Sequence, residues 1–127
     1  MTVRQIALDT QPRRIQRRRT KGWRAPAGAR YVGRGTRWGN PYLVQQCGPT
    51  YAVIDSRTQG VVYGGRHEHE ARRVAVDWYG SWAASQSGLA AAARRQLAGR
   101  DLMCWCPPDQ PCHADVLLEL ANRTSEQ

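Results

Sequence analysis

The stretch "DLMCWCPPDQPCH", residues 101–113, decides how the rest of this chain is read. It passes from an apolar run through a proline-rich turn to the start of a helical pattern. In an extended backbone Leu102, Cys104 and Cys106 fall on one face, and Met103 and Trp105 on the other. Neither face is polar, which is the mark of a strand covered on both sides, as in a parallel sheet. Pro107, Pro108 and Pro111 then exclude both helix and ladder hydrogen bonding. From His113 to Asn122 the pattern is helical, with Asp115 in the first turn and Arg123 just past the last, as the helix dipole favours. A buried strand feeding a helix predicts an α/β fold, with helices on a central sheet.

Working back towards the N-terminus, Leu89–Ala98 is an Ala-rich helix with Arg94 and Arg95 outward, and Gly99 follows it as a stop signal. Before it, Ala71, Val74, Ala75, Trp78, Tyr79 and Trp82 recur at helical spacing, which predicts a helix over Glu68–Ala84 with these residues as its apolar stripe. Residues 43–65 change character: "YLVQQ", "TYAVID" and "GVVYGG" are β-formers between turn signals, so an antiparallel β insertion is expected there. "RYVG" (Arg30–Gly33) reads as a short strand entering the loop "GRGTRWGNP". Residues 1–24 form a basic N-terminal segment, either an arm or a strand with outward arginines, and 124–127 is a tail. The whole, residues 1–127, is expected to be one domain: a small Rossmann-like sheet flanked by helices, with the β insertion on it.

Composition narrows the partners. The net charge is +9, and Lys21 is the one lysine among nineteen basic residues. Arginine's planar fork suits phosphate, so the excess favours a nucleotide or nucleic acid. No apolar run is long enough for a membrane helix, and "MTVRQIALDT" has no signal-peptide core. A cytoplasmic protein without a membrane partner is therefore expected, with its four cysteines used as thiols or metal ligands rather than as a disulfide framework.

The chemistry-bearing residues gather in two motifs. Cys106 stands at the end of the expected strand, and Cys112 and His113 stand at a helix N-terminus; in an open α/β sheet that is where ligands bind. Cys104, Cys106, Cys112 and His113 make one candidate tetrahedral set for Zn²⁺. Adjacent Cys-His ligation is awkward, however, and a more distant His67, His69 or Cys47 is a candidate replacement. Alternatively Cys112 is a reactive thiolate, with His113 or Asp115 in acid/base work. A third possibility is that the cysteines are buried simply as small apolar groups. In "YVGRGTRWGNPY", glycines permit close backbone approach. Arg34 and Arg37, with Arg18 upstream, are candidates for holding phosphate. Asn40 and Trp38 are candidates for reading or stacking on a base. The competing reading of this loop is a tight turn with Trp38 buried.

Together "RRTKGWRAPAGARYVGRGTRWGNPY" and "RDLMCWCPPDQPCHADVLLELAN" resemble a family known mainly from actinobacteria and their phages, catalogued as domain of unknown function 4326. Its pattern falls here on Arg34, Arg37, Trp38, Gly39, Asn40, Pro41, Cys104, Trp105, Cys106, Cys112, His113 and Asp115. The resemblance implies kinship and no particular reaction. The C-terminal motif is also similar to that of another α/β family whose last helix opens with Cys-His-Arg, although Ala114 stands here in place of that Arg. That likeness implies a site at the strand ends and nucleotide chemistry. The function expected is a nucleotide- or nucleic-acid-binding α/β protein with a Cys/His site, acting as a nucleoside or nucleotide hydrolase or transferase if it is an enzyme. The alternative is a non-catalytic, zinc-stapled module for DNA or RNA.

Overall fold

A computed structural model describes residues 11–123. In chain order the elements are β1 (Arg14–Gln16), β2 (Arg30–Tyr31), β3 (Tyr42–Cys47), β4 (Thr50–Asp55), β5 (Gly60–Gly65), α1 (Glu68–Ser85), α2 (Leu89–Gln96), β6 (Leu102–Cys104) and α3 (His113–Asn122). β6 is the central strand of a parallel sheet of order β1-β6-β2, with Arg14 beside Leu102 and Tyr31 beside Met103. Leu102, Met103 and Cys104 are all buried, as a central parallel strand with two apolar faces requires. The strand stops at Cys104, so Trp105 and Cys106 already belong to the turn. The fold is α/β as expected. Its likeness to a Rossmann sheet goes no further than three short parallel strands with a cavity at their C-terminal ends.

The β insertion is a separate antiparallel meander, β3-β4-β5. Helix α1 packs on all three of its strands and also meets α2 and α3. It therefore serves two cores. Ala71 and Ala75 close on Tyr42 and Val53 of the meander. One to two turns later, Tyr79 and Ala83 enter the main core with Trp38, Leu102 and Leu117. The buried stripe on α1 is thus Ala71, Ala75, Tyr79 and Ala83. Trp78, expected inside, is 42% exposed and leans on Tyr42 with ring centroids 5.4 Å apart. The helix turns about 100° per residue, and with Tyr79 facing the core its neighbour cannot. Among the described residues no helix is long and apolar enough to cross a membrane.

One ion pair braces the meander. Arg57 binds both carboxylate oxygens of Asp55, at 3.0 and 2.8 Å, and reaches the Tyr42 hydroxyl at 3.0 Å. Hydrogen bonds from the Arg57 side chain and amide hold the Asp55 carboxyl below the usual range. A depressed folded-state pKa stabilises the fold above the unfolded Asp value, and that contribution disappears as pH falls through the folded value. Asp55→Asn should therefore lose less stability than wild type on acidification below about pH 4, as read by thermal melts across pH.

Candidate metal centre and pocket

The glycine loop is built by its own backbone. The Thr36 hydroxyl donates to the Gly33 carbonyl at 2.7 Å and accepts the Trp38 amide at 3.2 Å. Gly35 has φ +96°, and a Cβ on Gly39 would sit 3.1 Å from the Gly33 carbonyl oxygen, so both positions call for glycine. The loop is then bolted to two helices. The Tyr79 hydroxyl of α1 donates to the Trp38 carbonyl at 2.7 Å. The Asn40 amide donates to the Ala75 carbonyl at 3.2 Å, while its oxygen accepts the Tyr42 amide at 2.9 Å. From α3, His113 Nε2 lies 2.8 Å from the Val32 carbonyl, which makes it the protonated nitrogen.

These contacts revise several expectations. Trp38 is 1% exposed in the main core, so its faces are spent on packing and cannot stack on a base. Both ends of the Asn40 side chain are spent on the protein's own backbone. Its local role is an Asx-type brace rather than base recognition. Arg37 lies 5.0 Å over the Trp38 ring, away from the cavity. Arg34 does reach the cavity wall. Arg18 lines a second, shallower groove.

The sulfurs converge. The Sγ atoms of Cys104, Cys106 and Cys112 all lie within 4.8 Å of one another. The Sγ atoms of Cys104 and Cys112 lie 2.8 Å apart, longer than the ~2.05 Å of a disulfide bond. β6 supplies the first, the turn the second, and the N-cap position of α3 the third. His113 is not one of the group: its Nδ1 is 3.8 Å from Cys112 Sγ, and its other nitrogen is committed to Val32. It clamps the glycine loop to the sulfur cluster, so the four-ligand set reduces to three thiols. Cys47 is exposed on β3, and His67 and His69 are exposed at the start of α1, none of them in the cluster. His113→Ala should cost about 2–4 kcal/mol of stability, because it leaves the Val32 carbonyl unpaired and opens a hole against Tyr79. A urea titration checks this.

Charge within the cluster is uneven. Hydrogen bonds from the Cys104 and Cys106 thiols push the Cys112 thiol strongly down despite burial. The same sulfur contacts and burial push Cys104 strongly up. Of the three thiols, Cys112 is thus the one whose surroundings favour the ionised form. Arg14 stands beside it with a side chain only 13% exposed. One terminal nitrogen donates to the Pro108 carbonyl at 2.8 Å, and Nε is 3.5 Å from the Asp115 carboxylate. Nη1 is buried without a conventional oxygen or nitrogen acceptor. Burial opposes the Arg14 charge, and Cys112 and Asp115 outweigh it, so its pKa is raised. Asp115 is thus a partner of Arg14 on the outer side, with a side chain 54% exposed, and does not line the cavity. Its expected acid/base role has no access there. Glu68 is the carboxylate on the cavity wall, in an ion pair with Arg72 at 3.0 Å.

A single cavity of about 520 Å³ joins the two motifs. Gly33 and Arg34 line one side, and the three cysteines and His113 another. Tyr42, Leu43, Val44 and Tyr51 of the meander, with Glu68 and Arg72 of α1, complete the wall. Sequence reasoning missed Arg14, Arg72 and the part the meander takes in the cavity wall. Arg14 carries a legible signal, a basic residue in a short strand beside hydrophobic Ile15, but nothing local says which strand it joins.

A family model described as domain of unknown function (DUF4326) matches residues 15–123. The chain belongs to that family. The matched span takes in β1 from Ile15 onwards, the glycine loop, the meander and the whole sulfur cluster, so the DUF4326 domain is the described fold apart from its first few residues, Arg14 among them. No curated protein and no solved structure matches the chain. For this DUF4326 domain the three clustered cysteines are a set able to hold a metal ion.

Proposed function

We propose that this DUF4326 domain binds a nucleotide in the cavity and holds Zn²⁺ on Cys104, Cys106 and Cys112 at the cavity wall. The observation that carries the reading is the shared cavity: three convergent sulfurs and the glycine-loop arginine face the same space. Its volume is within the usual range for small-ligand pockets. Soft thiolates are zinc ligands, and a tetrahedral ion with Zn–S near 2.3 Å spaces its sulfurs about 3.8 Å apart. The observed cluster meets this after a small opening of the Cys104–Cys112 pair. Three thiolates on Zn²⁺ leave one negative charge, and the buried Arg14 guanidinium is placed to balance it.

Three protein ligands leave a fourth coordination position, as in catalytic rather than structural zinc sites. That supports hydrolase or transferase chemistry on a nucleoside or nucleotide, with Glu68, the carboxylate among the lining residues, as the candidate acid/base. Arg34 has no carboxylate partner among the described residues, which leaves its fork for phosphate. Tyr31 and Tyr51, neither of them buried, offer aromatic surface to a base. Arg34→Ala should weaken mononucleotide binding to zinc-loaded protein about tenfold, or roughly 1.4 kcal/mol, in isothermal titration. Equal affinity for the two proteins would remove phosphate recognition from the loop.

A further inference from the structure

A second groove adjoins the cavity, of about 320 Å³ and lined by residues 16–20 and Trp105. Trp105 lines both spaces, so the groove and the cavity meet at this residue. The groove's arginines are held in place. The Arg17 amide donates to the Cys104 carbonyl at 2.7 Å, extending the β1–β6 pairing by one residue and tying the basic run to the sulfur strand. The Arg17 guanidinium lies 4.8 Å from the Tyr31 ring centre and 5.2 Å from that of Trp105. Arg19 lies 4.6 Å from Trp105. A guanidinium held over an aromatic face keeps its N–H edge for phosphate while losing little further freedom on binding. No acidic side chain lines this groove.

We propose that the Arg17–Arg19 and Trp105 groove carries the backbone of a single-stranded nucleic acid, one nucleotide of which occupies the cavity. The inference rests on the nucleotide reading of that cavity and specifies a strand as the ligand. A nucleotide within a duplex is stacked and cannot enter a cavity without leaving the helix, which a single strand permits at low cost. An anionic membrane would also attract the arginines, and the vesicle arm of the test separates it from a strand. Three arginines imply three phosphate contacts and a slope of log affinity against log salt of about −2 for a single strand.

The test uses the full zinc-loaded chain and fluorescence anisotropy with labelled oligothymidylate of twelve nucleotides, the matching duplex, and free thymidine monophosphate, with anionic phosphatidylserine vesicles in a parallel flotation assay. The strand should bind more tightly than the duplex. Arg17→Ala/Arg19→Ala should lose at least tenfold in strand affinity and about two-thirds of the salt slope, with zinc content and monophosphate affinity unchanged. Arg17→Lys/Arg19→Lys should keep the salt slope. Both positions are exposed, and circular dichroism confirms that the variants fold. Wild-type strand affinity in the alanine variant, duplex affinity equal to strand affinity, or vesicle binding without strand binding would each overturn the proposal. If monophosphate binds but the strand gains nothing over it, the groove assignment fails and the pocket reading survives. If the strand binds and monophosphate does not, the pocket reading fails and the groove assignment survives.

Discussion

Cys106→Ser is expected to strip the metal. Wild-type protein purified without tag or chelator should carry one zinc per chain by elemental analysis, and the variant less than a tenth of that. Competition against a chromophoric chelator should show affinity reduced by more than about 100-fold, since one of three thiolates is lost and a serine hydroxyl is a poor substitute. Cys106 is the informative position because it is only half-buried at the rim of the core. Cys104 and Cys112 are 2% and 1% exposed, so their replacement also disturbs packing. His113→Ala should retain its zinc while losing stability, which separates a loop clamp from a ligand. Metal-free wild-type protein whose three thiols all react with a thiol reagent would reject the zinc site and leave the reactive-thiolate alternative, with Cys112 as its nucleophile.

Trp38→Ala is expected to cost about 3–5 kcal/mol of unfolding free energy, the range for deleting a large aromatic from a packed core. For a domain of this size that is a large share of total stability. Trp38 is one of the largest fully buried side chains and shares the main core with Tyr79, Leu97, Leu102 and Leu117. Urea titration of wild type and variant measures the difference. A base-stacking tryptophan would give the opposite pattern, with stability unchanged and ligand affinity reduced. Because the Trp38 carbonyl accepts the Tyr79 hydroxyl, Tyr79→Phe should reproduce a smaller part of the loss, about 1–2 kcal/mol, without opening a cavity.

The central strand and the last helix were legible because their patterns are local. Leu102–Cys104 is apolar on both faces whatever surrounds it, and His113–Asn122 has its dipole charges and apolar period within ten residues. The meander was legible from its turn residues. The roles of Trp38, Asn40 and His113 were not. "RWGNP" reads equally well as a ligand loop and as a core-anchored turn, and the difference is the presence of Tyr79 and Ala75 on a helix far along the chain. Trp78 illustrates the same limit, since a helical stripe defines a face but not how wide the neighbouring layer is.

By itself, then, the sequence determined the three helices, the antiparallel insertion and the buried late strand, and it left β1 open between an arm and a strand. The elements it determined follow from periodicity, backbone restriction or side-chain chemistry within a few residues. Only the tertiary structure decided that three sulfurs meet, that His113 faces Val32 instead of joining them, that Arg14 from the first strand sits against Cys112, and that the meander walls the cavity. Those facts depend on parallel pairing between segments nearly ninety residues apart (Leu102 amide to Arg13 carbonyl, for one). Such pairing is selected by how the apolar faces close over one another, and no local pattern encodes it.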